Sequence, residues 1–412
     1  MQPNLDPKHP GNVADPYPLY AWLRENDPVH WSESFRGWII TRYEDVNQIL
    51  LNPARFSSDR FRKLAEEFAS RRPAVQAVTN VMREWFIFND PPDHTRMRRL
   101  LRDTFTPHVL RRMEPRIQEV IDGLLDQAAG REEMDFIRDF AFPLPATVIA
   151  VILGSPVEDI DDLKRWSDQI TAFVGASQDE ADNMEEAKAG LENMVEYFRG
   201  IIKARRAKPR DDLISLMLAA DDDGAVLSDD DVAFNCPLLV VAGHETTANL
   251  LGNGLYHLLR NPGQYRILRD NPGLVPRAVE EFLRFDGPVP GVVRIAAEDM
   301  EMHGRKIRRG EMMFVFMNSA NRDPAQFPDP DVLDITRESN RHLSFGYGIH
   351  FCLGAPLARL EARLAISTLM TRFGGLTLLN ESPEWIPQIF LRGLKSLPIA
   401  LHPLAPALAV AK

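Results

Sequence analysis

The sequence predicts a mainly α-helical protein with a minor β region, gathered into a single domain over residues 1–412. Three observations lead there. Apolar residues recur at helical spacing through most of 107–260, with breaks at Gly154-Ser155-Pro156, around Pro209 and at Asp221–Gly224. The strand-like runs are short and lie toward the two ends: G-W-I-I-T (37–41), P-V-P-G-V-V-R-I-A (288–296) and a few stretches after the last helix. No Gly/Ser-rich linker, repeat or low-complexity block divides the chain, although its length alone would allow roughly two or three domains.

Taken in order, residues 1–14 read as an extended or flexible start. Pro16–Arg24 reads as a short helix, 37–41 as a strand and Tyr43–Leu51 as a helix. Residues 57–85 are charged and read as irregular. A basic helix follows Asp90-Pro91-Pro92. The longest candidate helix runs from Ser228 to Leu259. Ser228 ahead of acidic residues suits an N-cap, Asn261-Pro262-Gly263 suits a stop, and L-L-V-V-A (238–242) marks it as buried. Another helix is expected over Leu274–Phe285. Short strands with turns at His303-Gly304 and Arg309-Gly310 come next, then a proline-rich run over 323–340 and a last helix over 353–374. The minor sheet draws on both ends of the chain.

The bulk numbers exclude several classes. A net charge of −11, from 48 basic and 59 acidic residues, argues against a general nucleic-acid binder. The runs Asp221–Asp223 and Asp229–Asp231 read as a solvated loop and a helix start. M-Q-P-N-L-D-P-K-H-P lacks the basic lead and apolar core of a signal peptide. No apolar run approaches the ~20 residues of a membrane span. The expectation is a cytoplasmic protein without a membrane anchor. The two cysteines, Cys236 and Cys352, give no disulfide framework and too few ligands for an iron–sulfur cluster or a structural zinc site. C-x-x-C-H, which attaches haem covalently, is absent. One axial thiolate on a haem stays compatible.

Four constellations carry chemistry. In F-G-Y-G-I-H-F-C-L-G (345–354), Gly346, Gly348 and Gly354 allow close backbone approach to the Cys352 sulfur, and the following helix N-terminus favours a thiolate there. The competing reading is a cysteine acting as a small buried hydrophobe; the glycine spacing and His350 weigh against it. In A-G-H-E-T-T (242–247), Gly243 costs a helix interior ~1 kcal/mol, a sacrifice explained if a flat cofactor or diatomic ligand approaches at Ala242 and Gly243. Glu245 and Thr246 then set an acid beside an alcohol for proton relay; taken alone, the plainer account is Thr246 bonding back to Ala242 with Glu245 at the surface. Glu281 and Arg284 lie on one helical face, where Arg337 could complete a buried network. In D-P-P-D-H-T-R-M-R-R-L-L-R (90–102), His94 and Arg98 share a face suited to a cofactor carboxylate, and Arg294 and His350 add further basic groups. The same helix is otherwise a solvated basic face or a docking patch for an acidic partner.

In this order and at these distances, F-G-x-G-x-H-x-C-x-G, A-G-x-E-T-T and E-x-x-R resemble the cytochrome P-450 superfamily, above all its soluble bacterial members. The likeness covers about Asp15 to Pro403. It implies the P-450 fold, with haem b between the long central helix and the cysteine-loop helix. It implies that Cys352 is the iron ligand, with Phe345, Gly346 and Gly354 around it. Glu245 and Thr246 would be the distal acid–alcohol pair, in an oxygen-binding kink. His94, Arg98, Arg294 and His350 would bind the haem propionates, and Glu281, Arg284 and Arg337 would form the structural charge network. His244 occupies a variable position. The activity implied is O2-dependent monooxygenation, in which an axial thiolate favours O–O cleavage.

The substrate expected is a mostly hydrophobic small organic molecule (terpenoid, aromatic or fatty). Candidate pocket residues are Phe86, Phe88, Phe173, Val240, Val289, Val292, Val293 and Phe390, each with core packing as the plain alternative. The resemblance also implies two electrons from separate partners, a small acidic iron–sulfur ferredoxin and its flavin-containing reductase. The ferredoxin would dock on Arg98, Arg99 and Arg102 and near Arg359 and Arg363. The rival readings are a peroxide-driven haem-thiolate peroxygenase and a haem sensor without turnover.

Overall fold

A computed structural model describes residues 3–61, 73–102, 105–175, 182–222 and 224–404. Its centre is the helix Asp229–Leu259, of 31 residues. Ser228 caps it by a reciprocal pair: Ser228 Oγ accepts from the Asp231 N–H at 3.0 Å, and Asp231 Oδ2 accepts from the Ser228 N–H at 3.0 Å. Twenty of its residues are buried, including Leu238, Val240, Leu250, Leu251 and Leu255. Burial on all sides is what its weak amphipathicity demands, because such a helix needs partners all round. It packs against Pro143–Leu153, Asp182–Ala207, Val275–Asp286 and Ala355–Arg372.

The helix Ala355–Arg372, which follows the cysteine loop, packs in turn on Pro107–Gln127 and Val275–Asp286. One large apolar cluster fills the space among these helices. A five-stranded sheet stands beside it, in the order Val29–Ser32, Gly37–Ile40, Met312–Val315, Val292–Ala296, Phe56–Ser57. The pairing of Met312–Val315 with Gly37–Ile40 is parallel and joins distant parts of the chain. A second sheet joins Gly375–Leu378, Pro398–His402 and Glu133–Asp135. The strands that were expected to come together from both ends therefore divide among three sheets, since Met300–Met302 and Arg305–Ile307 pair apart from the others. Side chains alternate across Val292–Ala296: Val292 and Ala296 meet the apolar cluster of the Tyr43–Leu51 side, while Val293 meets Leu19, Phe314 and Phe316 on the other.

Two expectations for local structure fail. Residues 10–14 form a short helix capped by His9, whose Nδ1 accepts from the Gly11 N–H at 3.1 Å, so the start of the chain is not wholly extended. Within 57–85, Pro73–Met82 is helical; Val75, Val78 and Met82 are buried, so tertiary packing overrides the charge-rich flank, and a 3-10 turn follows at Phe86–Phe88. Among the described residues, no helix is long and apolar enough to cross a membrane.

Candidate active site

The cysteine loop folds back on itself. The Cys352 N–H donates to Phe345 O at 2.8 Å, and the Gly346 N–H donates to Leu343 O at 2.8 Å. Gly346 and Gly348 take φ of +70° and +69°, in the left-handed region that glycine enters freely. At Gly348 a side chain would also strike Leu50 O at 2.6 Å. Burial pushes the Cys352 thiol up, but the backbone N–H groups of Gly354 and Ala355 and the charges of Arg98 and Arg359 act the other way. Those donors lie at the N-terminal end of Ala355–Arg372 and are placed to hold a thiolate. Gly354 contributes its N–H rather than open space, since a Cβ there would sit 4.0 Å from Sγ, an ordinary contact. The ring of Phe345, half-buried, lies under Arg359 at 4.5 Å.

A cationic cluster assembles near this sulfur. His94 and Arg98 sit one turn apart on Asp93–Arg102, Arg294 is on its strand, and His350 is in the cysteine loop. The His94 and His350 rings lie 4.1 Å apart. Burial drives His94 down to about 4, with Arg98 and Arg294 adding repulsion. Burial likewise drives Arg294 down to about 10. Both ring nitrogens of His94 are buried without a hydrogen-bond partner. Among the described residues, Asp90 is the one carboxylate that acts on His94 and Arg294, and its oxygens are engaged by the Ser57 hydroxyl and the Ser58 N–H. Buried cations and orphaned imidazole nitrogens without a matching anion fit the carboxylates of a haem.

Two members of this region escaped the sequence reading. Arg60 stacks on Phe61 and Phe88, at 4.9 and 4.8 Å, and is driven down to about 10 by burial and then by Arg294. Ser58 Oγ lies 3.0 Å from His350 Nε2. The pairing of Phe56–Ser57 with Ile295–Ala296 brings this segment beside the strand of Arg294, and no local motif announces it.

On the central helix, Thr246 Oγ1 donates to Ala242 O at 2.6 Å. The helix assignment runs unbroken through 242–247. Ala242 is exposed and Thr246 half-buried, one turn apart on the same face. A Cβ on Gly243 would meet Ile149 at 3.3 Å. The missing side chain thus serves close packing against Pro143–Leu153. Glu245 is half-buried. Its Oε1 lies 2.8 Å from Thr171 Oγ1, and burial pushes its carboxyl up to about 7. His244 is buried edge-on against Phe142, with ring centroids 4.1 Å apart, and burial drives it down to about 3. It is a neutral packing residue.

The charge network comes together as expected. Arg284 forks onto Glu281, with Nε to Oε2 and Nη2 to Oε1 both at 2.7 Å, and Arg337 Nε lies 3.3 Å from Glu281 Oε2. The proposed pocket residues divide. Phe86, Val240 and Val293 are buried in the cores, and Phe390 packs with Phe314 in the N-terminal cluster. Phe88, Val289 and Val292 are half-buried. The side chain of Phe173 lies outside the described residues. Of the basic docking residues, Arg99, Arg102 and Arg363 are exposed, and Arg359 is held bidentately by Glu280 at 2.7 and 2.8 Å.

This fold, with a cysteine loop and central helix supporting a cation-lined site, defines the class of haem-thiolate oxygenases. Residues 39–388 match the family model "Cytochrome P450", and the chain belongs to that family. It is 39% identical over 394 residues to the putative cytochrome P450 YjiB of Bacillus subtilis, covering 95% of both chains. It is 40% identical over 395 residues to the vitamin D(3) 25-hydroxylase of Pseudonocardia autotrophica, covering 94% of both. Among solved structures, P450BioI bound to a hexadec-9Z-enoic acid-ligated acyl carrier protein superposes with a TM-score of 0.89 at 37% identity, covering 95% of this chain and 99% of that one. The protein is accordingly a haem-thiolate monooxygenase that uses haem b and O2.

Proposed function

We propose that this monooxygenase hydroxylates a mostly hydrophobic small molecule, with Cys352 as the axial thiolate and His94, Arg98, Arg294 and His350 receiving the haem carboxylates. The guanidinium groups of Arg98 and Arg294 and the partnerless imidazole of His94, gathered near Cys352, carry the reading. Bound haem supplies O2 activation and transfer of one oxygen atom to the substrate. The polypeptide does the rest. The Gly354 and Ala355 N–H groups hold negative charge on the Cys352 sulfur. Glu245 holds a proton on its carboxyl near neutral pH, and the Thr246 hydroxyl, one residue on, is the alcohol of the relay. The fork of Arg284 on Glu281 fixes the segment that leads into the cysteine loop.

Half-buried Phe88, Val289 and Val292 offer apolar walls near the site. Relatives include a vitamin D(3) hydroxylase and a fatty-acyl complex, whose ligands share apolar skeletons. Electrons arrive from a separate acidic ferredoxin and its reductase, docking on Arg99, Arg102 and Arg363, all exposed. Cys352→Ala should abolish the thiolate-type carbon monoxide spectrum of the reduced protein; a retained spectrum refutes the ligand assignment. A screen for compounds that shift the iron spin state identifies the substrate class, and a response confined to polar compounds refutes the hydrophobic reading. Charge reversal at Arg99 and Arg102 should slow reduction by ferredoxin and flatten its salt dependence; an unchanged rate refutes the docking site.

A further inference from the structure

Thr171 lies on Ile160–Gly175, a helix packed against the central helix, and its buried hydroxyl has three acceptor neighbours. Glu245 Oε1 is at 2.8 Å, Ser167 O at 2.5 Å and Asp168 O at 3.4 Å. A hydroxyl owns one proton. Backbone carbonyls only accept, and so does an ionised carboxylate. If Thr171 donates to Ser167 O, the short contact to Glu245 is satisfied only by a protonated carboxyl donating into Thr171 Oγ1. If Glu245 is ionised, the Thr171 proton must turn to it and leave Ser167 O. The two arrangements are mutually exclusive, and each corresponds to one charge state of Glu245.

We propose that Thr171 is a positioning residue for the proton donor: its hydroxyl accepts from protonated Glu245 while donating to Ser167 O, and turns to donate to the carboxylate once the proton has left. This rests on the reading of Glu245 as the proton donor. The step conserves atoms and charge. Glu245 loses H+ toward Thr246, the Thr171 O–H rotates without breaking, and reprotonation of Glu245 returns it to Ser167 O.

The electrostatic setting favours the protonated state at rest. Burial is the main cause and the charge of Asp168 adds to it, while the Thr171 hydrogen bond opposes both. Among the described residues Asp168 is the one charge that acts on Glu245; it is exposed and faces Lys164 on its own helix. The helix Pro143–Leu153 on the other side carries no charged side chain, and His244, next in sequence, is buried and neutral. Among the described residues of Asp182–Ala207, which also packs on the central helix, none contributes a charge that acts on the Glu245 carboxyl.

The test is an infrared titration of the ferric, substrate-free holoenzyme, with the Glu245 carboxyl band assigned by its loss in Glu245→Gln. Thr171→Val removes the donor to the carboxylate and should move the midpoint up by about one pH unit, a tenfold change. Asp168→Asn removes a like charge and should move it down, by less, because Asp168 is solvated. Thr171→Ser should restore the native midpoint, and all variants should keep the native carbon monoxide spectrum. A structural defect would not give opposite shifts and rescue by serine. A midpoint that ignores Thr171→Val, or falls, overturns the positioning role alone. Undiminished coupling of reductant to product in Glu245→Gln overturns the proton-donor reading and this inference with it.

Discussion

The most exacting consequence of the structure concerns Arg284, which is fully buried and uses every N–H it has. Two bonds go to Glu281, two from Nη1 go to Asn321 O at 3.0 Å and Pro330 O at 2.8 Å, and one from Nη2 goes to Val332 O at 3.1 Å. Glu281, also fully buried, further accepts from the Asp334 N–H at 2.9 Å and Asn340 Nδ2 at 3.1 Å. The pair therefore ties the helix Val275–Asp286 to the segment 321–340 that leads into the cysteine loop. Removing one member of such a pair costs about 3–5 kcal/mol, because the other is left as an uncompensated buried charge. Arg284→Met falls toward about 3, since Arg337 still neutralises Glu281; Glu281→Gln strands Arg284 more fully. Unfolding entropy of about 2.1 cal/mol/K per residue over 412 residues makes 4 kcal/mol worth about 5 °C. Thermal unfolding followed by circular dichroism and haem absorbance should show that drop in each single variant, with haem lost first. The double variant should be more stable than additivity predicts by about 2 kcal/mol. Strict additivity would mean that the two side chains do not act as a unit, and would refute the network.

Other perturbations have defined outcomes. Gly304, at φ +74° in open space, should cost about 1–2 kcal/mol as Gly304→Ala through its dihedral alone, whereas Gly348→Ala adds the clash with Leu50 O and should also weaken haem retention; equal losses in urea unfolding would discount the clash. The Glu245 carboxyl is raised from 4.5 to about 7, so the folded state binds that proton more tightly and the stability it contributes, about 3 kcal/mol at most, is present below pH 4.5 and lost as pH rises through 7. Glu245→Gln should therefore flatten the fall in unfolding free energy over that window, and an unaltered slope would show that the carboxyl is not perturbed. Asn235 receives the Phe86 N–H at 3.1 Å and donates to Glu84 O at 3.2 Å, so Asn235→Leu should cost about 1–3 kcal/mol in urea unfolding and loosen the turn at Phe86–Phe88; unchanged stability would mean that these bonds are dispensable.

Much of this architecture is legible in the sequence because its signals are local. Ser228 with Asp231 announces the central helix, and the paired glycines announce a loop that must approach both a backbone and a sulfur. Spacing shows Glu281 and Arg284 on one face. What stays hidden depends on contacts between distant segments. Arg60 enters the cationic cluster only because Phe56–Ser57 pairs with Ile295–Ala296. Val293 looks like a neighbour of Val292, yet the pleat sends them to opposite clusters, and the register that decides this comes from Met312–Val315. Arg359 reads as a free cation until Glu280, on another helix, is seen to bind it.

The motif at 242–247 shows why residue types in a helix need tertiary structure to acquire roles. Successive residues turn by about 100°, so neighbours in the motif point at different partners. Ala242 and Thr246, four apart, share the exposed face. Gly243 turns to Ile149, His244 to Phe142 and Glu245 to Thr171. The acid is thus adjacent to the alcohol in sequence yet rooted in a different environment, desolvated and answering to the helix Ile160–Gly175. That separation lets one short segment meet the site with a hydroxyl while storing its proton where solvent does not reach freely. A single turn either way in the register of Ile160–Gly175 would remove Thr171 from Glu245 and leave the acid without its hydroxyl partner. On the proposed reading of Glu245 as the proton donor, proton supply depends on how two helices pack, as much as on the motif that advertises it.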